Sequence, residues 1–314
     1  MGPSEVALNY TAGHAYPGMS ISPDPLMERD FDDALITSKD FSSGGSELNR
    51  NKNGEHVSNE FKMNYGDYYV AYLDVLGFRS LVMNEDSLQR LNIYFEKVQS
   101  IRFELEQRKK PLKSVLISDA IVLAYPRGGK GTSENLREIC LAISRTQLAL
   151  AKEGIWIRGG LTVGKLDIRP ESNIVVGPAL VDAYLLEQKA VYPRIIIDPR
   201  IIYDFSTTRS DFIDLINRHS TLDWQGNIVF KRSSESAASV DLDSDAMFID
   251  YFSPLKSDFN SARDDVLWTI RDAIYKSHDQ FPKYRWLAKY LLSSVDQVAL
   301  EGDKTFKNQI MGLA

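Results

Sequence analysis

The chain of 314 residues has little of several things that mark common classes of protein. It has one cysteine, Cys140, so no disulfide can form within the chain. Its four histidines lie far apart, and none has the spacing typical of a zinc site. Its 37 Lys and Arg residues are fewer than its 43 Asp and Glu residues, which argues against a nucleic-acid partner. These absences favour a protein of a reducing compartment that binds neither zinc nor nucleic acid.

Long apolar runs and several nucleotide motifs are missing as well. No stretch approaches the roughly 18 apolar residues that a membrane span needs, and no basic segment precedes an apolar one at the N-terminus. We therefore expect a cytoplasmic protein without direct membrane insertion. The phosphate-loop, GxGxxG and GxSxG patterns are absent, which argues against the nucleotide-binding and hydrolase classes that carry them.

The amino-acid composition and the pattern of apolar residues divide the chain into three regions. Residues 1–66 are rich in Gly, Ser, Asn and Asp and predict a mobile low-complexity extension. Residues 67–200 predict the order strand, helix, hairpin, helix, strand, helix, strand, which is typical of an α+β ferredoxin-like sandwich. Residues 201–314 combine two short strand patterns with amphipathic helices and predict a mainly helical C-terminal α+β extension.

Local patterns predict the elements around the glycines and aspartates. The run DYYVAYLDVLGF predicts a strand that enters a tight turn at Gly77, followed by a loop that includes Arg79. The segment LKSVLISDAIVLAYP predicts a hairpin or a bent strand with Asp119 at its apex. IWIRGGLTVGKLDI predicts a pair of strands whose glycines permit close backbone approach, and NIVVGP predicts a turn.

Two aspartates interrupt otherwise apolar strands, Asp74 in YLDVLGF and Asp119 in ISDAIVL. Ionised carboxylates avoid such surroundings unless cations pair with them. If the two strands are neighbours, both carboxylates lie at one end of the sheet, where they can hold two divalent ions for phosphoryl transfer. The alternative is that Asp74 caps the following loop and that Asp119 is an ordinary turn residue.

Two further side chains have a functional and a structural interpretation. Arg158 lies in an apolar strand beside glycines, where it either grips phosphate oxygens or pairs with a structural carboxylate such as Glu187. Tyr72 shares a strand face with Asp74 and either narrows a base pocket or belongs to the core. The backbone amides that follow Asp74 are candidates to cradle a triphosphate before the next helix.

Four motifs in order, YLDVLGFRSL, LISDAIVL, IRGGLTVG and VVGPALVDAYLLE, resemble those of the class III nucleotidyl cyclases. The resemblance implies that Asp74 and Asp119 bind two Mn²⁺ ions, or Mg²⁺, with the Val75 carbonyl as a further ligand. It implies that the ribose 3′-hydroxyl attacks the α-phosphate in line, giving a 3′,5′-cyclic nucleotide and diphosphate.

The same resemblance implies the contacts of the triphosphate. Phe78 and Arg79 would lie against its β- and γ-phosphates, and Arg158 would contact the triphosphate as well. Arg158 is therefore expected to act with the two aspartates as part of the catalytic set.

The chain departs from this family at residues that matter. Members carry an Asn and an Arg on the helix after the equivalent of Gly177, where this chain has Val181 and Leu185. The Lys and Asp with which adenylate cyclases read the base map onto Val115 and Ile174. These departures argue against an adenylate or guanylate cyclase. They also leave open a degenerate, non-catalytic cyclase-like module that binds a nucleotide.

The motif set, together with YPRIIID, resembles the Pycsar pyrimidine cyclases of bacterial antiphage defence. That resemblance implies a uridylate cyclase making cyclic UMP from UTP, with a cytidylate cyclase making cyclic CMP as the alternative. It also implies a homodimer with active sites at the subunit interface, and a separate effector gated by the cyclic nucleotide. A diguanylate cyclase or a polymerase palm has a related sheet, but the GG[DE]EF turn is missing and the net charge is -6.

Overall fold

The computed structural model describes residues 62–83, 88–107, 111–128, 133–218, 224–231, 246–256, 261–276, 280–294 and 304–314. The predicted N-terminal extension, 1–66, therefore lies outside the described residues as far as position 61.

The described residues contain strands in the first half and mainly helices afterwards. The strands are β1 (Gly66–Val75), β2 (Lys113–Ile117), β3 (Ala120–Pro126), β4 (Ile157–Arg169), β5 (Ile174–Val176) and β6 (Ile195–Ile197). The helices are α1 (Phe78–Met83), α2 (Leu88–Gln107), α3 (Ser133–Lys152), α4 (Pro178–Gln188), α5 (Pro199–Phe205), α6 (Arg209–Asn217), α7 (Ser261–Lys276), α8 (Phe281–Ser294) and α9 (Lys304–Leu313). No helix in this part of the chain is long and apolar enough to cross a membrane.

The sheet has the order β2-β3-β1-β4-β5, and β6 pairs with β4 in parallel. The pairs within β1 to β4 are antiparallel, and α2 and α3 form the two crossovers of a β1-α2-β2-β3-α3-β4 chain. This connectivity with the order β4-β1-β3-β2 is the ferredoxin-like topology. The predicted α+β fold class, with its mainly helical C-terminal part, is confirmed.

The alternation of side chains along β1 gives the sheet two apolar faces. Tyr69, Ala71, Leu73 and Val75 pack with α2 and α3 in the larger core. The intervening residues, which include Val70 and Tyr72, face the helix α4 on the opposite side. Since each fully buried apolar side chain contributes about 1.5–3 kcal/mol, both layers hold the strands in register.

Residues beyond 200 belong to the same compact unit as the sheet, which extends from Lys62 to Ala314. Side chains of α5 and α6, such as Ile201 and Phe212, enter the larger core. The helices α7, α8 and α9 form a second cluster with Trp156, which immediately precedes β4. The C-terminal helices therefore pack against the end of the sheet at which β4 begins.

Two local predictions about the sheet need correction. The segment IWIRGGLTVGKLDI contains one continuous strand, because β4 runs unbroken from Ile157 to Arg169. The close backbone approach predicted at its glycines is confirmed, since a Cβ on Gly160 would lie 2.6 Å from the Ala183 carbonyl oxygen of α4. The predicted turn at NIVVGP contains β5, which pairs with β4.

The short strands predicted near NIVFKR and AMFIDYF are also different. Within the described residues these segments form isolated bridges, Val229 with Ile249 and Phe248 with Ile196. Both segments are apolar enough to form strands, but each bridge joins a single pair of residues at the edge of the sheet. The predicted helical pattern at 205–219 corresponds to α6, which begins at Arg209 after the capping residue Thr208.

Candidate functional site

The candidate site lies at the end of the sheet where β1 ends and β4 begins. Asp74 is the penultimate residue of the central strand β1 and stands opposite Ala120 of β3 and Arg158 of β4. Asp119 immediately precedes Ala120 in the turn between β2 and β3. The expectation that the strands carrying the two aspartates are neighbours is therefore confirmed, as is the predicted hairpin.

The β2–β3 turn, which contains Asp119, has a strained backbone and is hydrogen-bonded to α2. Its two residues are Ser118 and Asp119, and Ser118 has a φ of 55°, in the left-handed region that serine rarely adopts. The hydroxyl of Tyr94, on α2, donates a hydrogen bond to the Asp119 carbonyl oxygen at 3.1 Å. The turn is thus held against the helix layer, with its acidic residue at the end of the sheet.

Arg158 lies between two carboxylates. Its Nε and Nη2 donate long hydrogen bonds of 3.4 Å to Asp74 Oδ2. Its Nε also lies 2.7 Å from Oε1 of Glu187, whose side chain is only 1% exposed. Gln188 Nε2 donates to the other oxygen of Glu187 at 3.0 Å. The ion pair with Glu187, named as the structural alternative for Arg158, is present in the structure.

The electrostatics of the site are dominated by negative charge. Burial, followed by the charges of Glu187 and Asp119, raises the pKa of Asp74 to about 6 despite the adjacent Arg158. Burial also raises the pKa of Glu187, and Arg158 opposes that rise. Because these carboxylates outnumber the guanidinium between them, the ionised form of Asp74 is under-compensated.

A divalent cation would balance the excess negative charge of these carboxylates. It would replace repulsion among the carboxylates by attraction, and carboxylate and carbonyl oxygens are the ligands that Mg²⁺ and Mn²⁺ prefer. The available protein ligands are the carboxylates of Asp74 and Asp119 and the Val75 carbonyl at the end of β1. In the described part of the chain, no three His, Cys, Asp or Glu side chains form a metal-binding group. Substrate oxygens and water would therefore have to complete the coordination.

The residues after β1 form a helix earlier than predicted. The turn consists of Leu76 and Gly77, with a φ of 77° at Gly77, and α1 begins at Phe78. The ring of Phe78 packs edge-on against Tyr94, with 6.1 Å between the ring centroids. Arg79 is exposed on α1. The predicted loop through Arg79 is thus wrong, because Phe78 anchors the first helical turn in the core.

Two tyrosines line the face of the sheet that carries Asp74. Tyr72 is half-buried and packs edge-on against Tyr184 of α4, with 5.5 Å between the ring centroids. Burial and the charges of Asp74, Asp119 and Glu187 raise the pKa of Tyr72 to about 12, so its hydroxyl stays protonated at neutral pH. The sequence analysis missed Tyr184, although its i, i+3 spacing from Glu187 on α4 would have placed both on one helix face.

The two residues that replace the Asn and Arg of the cyclase motif are exposed. Val181 and Leu185, on α4, have 56% and 52% of their surface accessible. Val115 is buried in the sheet layer beneath α4, and Ile174 lies in β5. None of these four side chains offers a hydrogen bond to a nucleotide.

The chain is similar to solved structures of nucleotide cyclases. No protein-family model matches the chain, and no curated protein matches it. The guanylyl cyclase Cya2 is 15% identical over 60% of this chain and 91% of its own, with a TM-score of 0.38. The adenylyl cyclase CyaB from P. aeruginosa is 13% identical over 46% of this chain and 82% of its own, with a TM-score of 0.37. A bacterial light-regulated adenylyl cyclase is 14% identical over 48% of each chain, with a TM-score of 0.34.

Proposed function

We propose that this chain is a class III pyrimidine nucleotide cyclase that converts UTP into 3′,5′-cyclic UMP and diphosphate. The observation that carries the proposal is the unbalanced cluster of Asp74, Asp119 and Glu187 around Arg158 at one end of a ferredoxin-like sheet. Such a cluster suits a divalent cation and a polyphosphate together, because each supplies the charge that the other lacks. The four motifs of the sequence support the same activity.

In this proposal, Asp74, Asp119 and the Val75 carbonyl hold the Mn²⁺ or Mg²⁺ ions. Two ions bound there would lower the pKa of the ribose 3′-hydroxyl and neutralise charge on the departing diphosphate. The 3′-hydroxyl would pass its proton to solvent water as its oxygen bonds to the α-phosphorus, and the bond from that phosphorus to the bridging oxygen would break, so that this oxygen leaves with diphosphate.

Arg158 has a separate role in the same site. With a cation on Asp74, its guanidinium is no longer needed there and its planar fork is available to phosphate oxygens. Glu187, buried behind it, keeps the guanidinium at the site. The first turn of α1, with Phe78 and Arg79, is proposed to lie against the β- and γ-phosphates.

The choice of base is proposed to involve Tyr72. Its protonated hydroxyl lies on the same face as Asp74 and can donate a hydrogen bond to the O4 acceptor of uracil. Cytosine carries an amino donor at that ring position, so the same hydroxyl would have to act as an acceptor. The hydroxyl can do both, so the preference for UTP is proposed from the motif resemblance, and cyclic CMP formation is the alternative activity.

A homodimer with active sites at the subunit interface is part of the proposal. Val181 and Leu185 are exposed apolar residues one helical turn apart on α4, which covers the face that carries Asp74 and Tyr72. Their burial against a second subunit would remove apolar surface from water. Mass measurement by light scattering tests this, and a monomer at micromolar concentration would contradict it.

The biological role follows the motif resemblance alone. We propose that the cyclic nucleotide is a second messenger of antiphage abortive infection, formed in the cytoplasm and sensed by a separate effector.

The experiment that tests the function is incubation of the purified chain with each of ATP, GTP, CTP and UTP in the presence of Mn²⁺ or Mg²⁺. Mass spectrometry of the separated products should detect cyclic UMP, with Asp119→Asn as the inactive control of the same fold. A purine product would contradict the pyrimidine assignment.

A non-catalytic nucleotide-binding module is the second candidate. Val181 and Leu185 favour it, because neither can orient a ribose or stabilise a charged transition state as Asn and Arg do. Calorimetric binding of UTP in Mg²⁺ without turnover in any condition of the product assay would establish the module in place of the enzyme.

A further inference from the structure

A groove of about 620 Å³ lies between the C-terminal helices α7 and α9. The two helices are held together from within, because the guanidinium carbon of Arg263 lies 4.0 Å from the centre of the Phe306 ring and both residues are buried. The buried part of the groove lining is apolar and includes Leu267 beside Phe306. Polar side chains of α9, such as Asn308 and Gln309, line its exposed edge. Packing in the core thus fixes the shape of the groove, and its edges face solvent.

The other edge of the groove is a narrow stripe of four exposed residues on α7. They are Asp264, Trp268, Arg271 and Tyr275. At 100° per residue, their positions fall within about 60° of one another around the helix axis. Trp268 and Tyr275 keep 56% and 70% of their surface accessible, although large aromatic residues are mostly buried in folded chains. Since Trp, Tyr and Arg contribute most to binding at protein–protein interfaces, the stripe has the composition of a docking surface.

The two charged residues of the stripe are not used in ion pairs among the described residues. Within that part of the chain, neither the Asp264 carboxylate nor the Arg271 guanidinium has a hydrogen bond or an ion pair. The two residues are separated by two turns of α7, or about 10 Å along its axis, which is too far for them to pair with each other. Each charge is therefore available to an opposite charge on a second molecule.

The order of the charges along the stripe is self-complementary. If two copies of α7 pack antiparallel about a two-fold axis midway between positions 264 and 271, each of these positions lies opposite the other one in the second copy. Asp264 then faces Arg271 of the partner subunit, and Arg271 faces Asp264 of the partner subunit. Trp268 is next to the midpoint, where it packs against Trp268 of the partner subunit. A parallel arrangement would instead bring like charges together, so the charges specify the antiparallel one.

We propose that the groove between α7 and α9 is a self-association surface, at which a second copy of this chain packs antiparallel to form an interface of four helices. The surface contains none of the residues assigned to the proposed reaction, and it is separate from the proposed dimer contact at Val181 and Leu185 of α4. When both surfaces are used, two different two-fold contacts join the chains, so the assembly contains more than two subunits.

The test is charge reversal in the full chain, with the mass measured by light scattering at micromolar concentration. All proteins carry Val181→Ser and Leu185→Ser, which remove the proposed α4 contact, and this background protein should be a dimer. Asp264→Arg and Arg271→Asp should each weaken its association about tenfold or more, because each turns two attractive contacts into repulsive ones. An equimolar mixture of the two variants should recover the dimer, since unlike charges meet again in the mixed pair.

Two further variants serve as controls. Asp265→Arg changes the net charge as much as Asp264→Arg does, but Asp265 is exposed about 100° further round α7, outside the stripe, so the mass should stay that of the dimer. Trp268→Ala should weaken association about thirtyfold, the loss typical of a central interface tryptophan, with little change in Tm because Trp268 is exposed in the single chain.

Two outcomes would overturn the inference. One is a background protein that is monomeric, and the other is a dimer whose mass neither charge reversal changes; either would assign the groove to a different occupant, such as a small ligand or another protein. The proposed function fails separately, because an absence of cyclic UMP formation by the wild type leaves these masses unaffected. Comparison of the wild type with the background protein measures the α4 contact by itself.

Discussion

Two aspartates at opposite ends of the same sheet have opposite electrostatic surroundings. Asp167, near the end of β4, accepts a hydrogen bond of 2.6 Å from Arg169 and one of 2.8 Å from the backbone N–H of Asn64. These bonds lower the pKa of Asp167. Among the described residues, the hydrogen bonds to the Asp74 carboxylate are the 3.4 Å contacts with Arg158, and burial together with the charges of Glu187 and Asp119 raises its pKa to about 6.

The difference separates a structural acid from a candidate functional one. A carboxylate with short hydrogen bonds from its own chain has no need of a further cation. A half-buried carboxylate with a raised pKa makes the folded chain less stable at neutral pH and keeps its oxygens available to a ligand. In the proposed function, this loss of stability accompanies the binding of a cation.

The largest expected effect is on turnover. Asp74→Asn should lower the rate of cyclic UMP formation by about a thousandfold or more, because it removes a proposed ligand of both ions. Asp167→Asn is the matched substitution at the opposite end and should keep the rate per folded molecule. Equal activity of wild type and Asp74→Asn would show that the end of the sheet that carries Asp74 is not the active site.

A smaller effect is expected on metal affinity. In Glu187→Gln, Arg158 loses its buried partner and competes more strongly for Asp74, while the site also loses a negative charge. The Mn²⁺ concentration that gives half-maximal activity should therefore rise about tenfold, as expected for the loss of one close charge. An unchanged metal requirement would mean that Glu187 does not act on the metal site.

The contrast between Asp74 and Asp167 also predicts that their substitutions change the stability of the metal-free protein in opposite directions. In EDTA at pH 7, Asp74→Asn should raise the Tm and Asp167→Asn should lower it. The rise of the Asp74 pKa from 3.8 to about 6 corresponds to on the order of 2 kcal/mol, with allowance for its partial exposure.

The sign of the pH dependence follows from proton binding. Between about pH 4 and pH 6 the folded state holds the Asp74 proton more tightly than the unfolded state, so the free energy of unfolding falls as the pH rises. The contribution of Asp74 is the difference in this slope between wild type and Asp74→Asn in a series of thermal unfolding curves, since other acids of the chain also have shifted pKa values. An identical pH dependence of wild type and Asp74→Asn would contradict the account of Asp74.

The smallest effect concerns backbone strain at the two ends of the sheet. Ser118, beside Asp119, and Asn173, just after the end of β4, have φ values of 55° and 53°. Asparagine tolerates this region better than serine does. Ser118→Gly should therefore raise the free energy of unfolding by up to about 1 kcal/mol in urea, whereas Asn173→Gly should change it by less. A larger gain at Asn173 would reverse the assignment of strain.

Much of the fold was predictable because its determinants are local. The period-two pattern of β1 and the helical periods of α2 and α3 define their own elements, and the hairpin at Asp119 follows from two apolar runs around a polar pair. The continuous β4 was not predictable, because glycine reads as a break in sequence. The glycines of β4 leave space for α4, and which helix needs that space is known only once α4 is packed on the strand.

The site divides in the same way. The sequence by itself determined that Asp74, Asp119 and Arg158 stand in or beside apolar runs, since a charge in such a run is visible without coordinates. Only the tertiary structure decided that Glu187 is the buried partner of Arg158 and that Tyr184 meets Tyr72. These contacts join distant segments, and side-chain periodicity reports which face a residue is on but not which residue it will meet there.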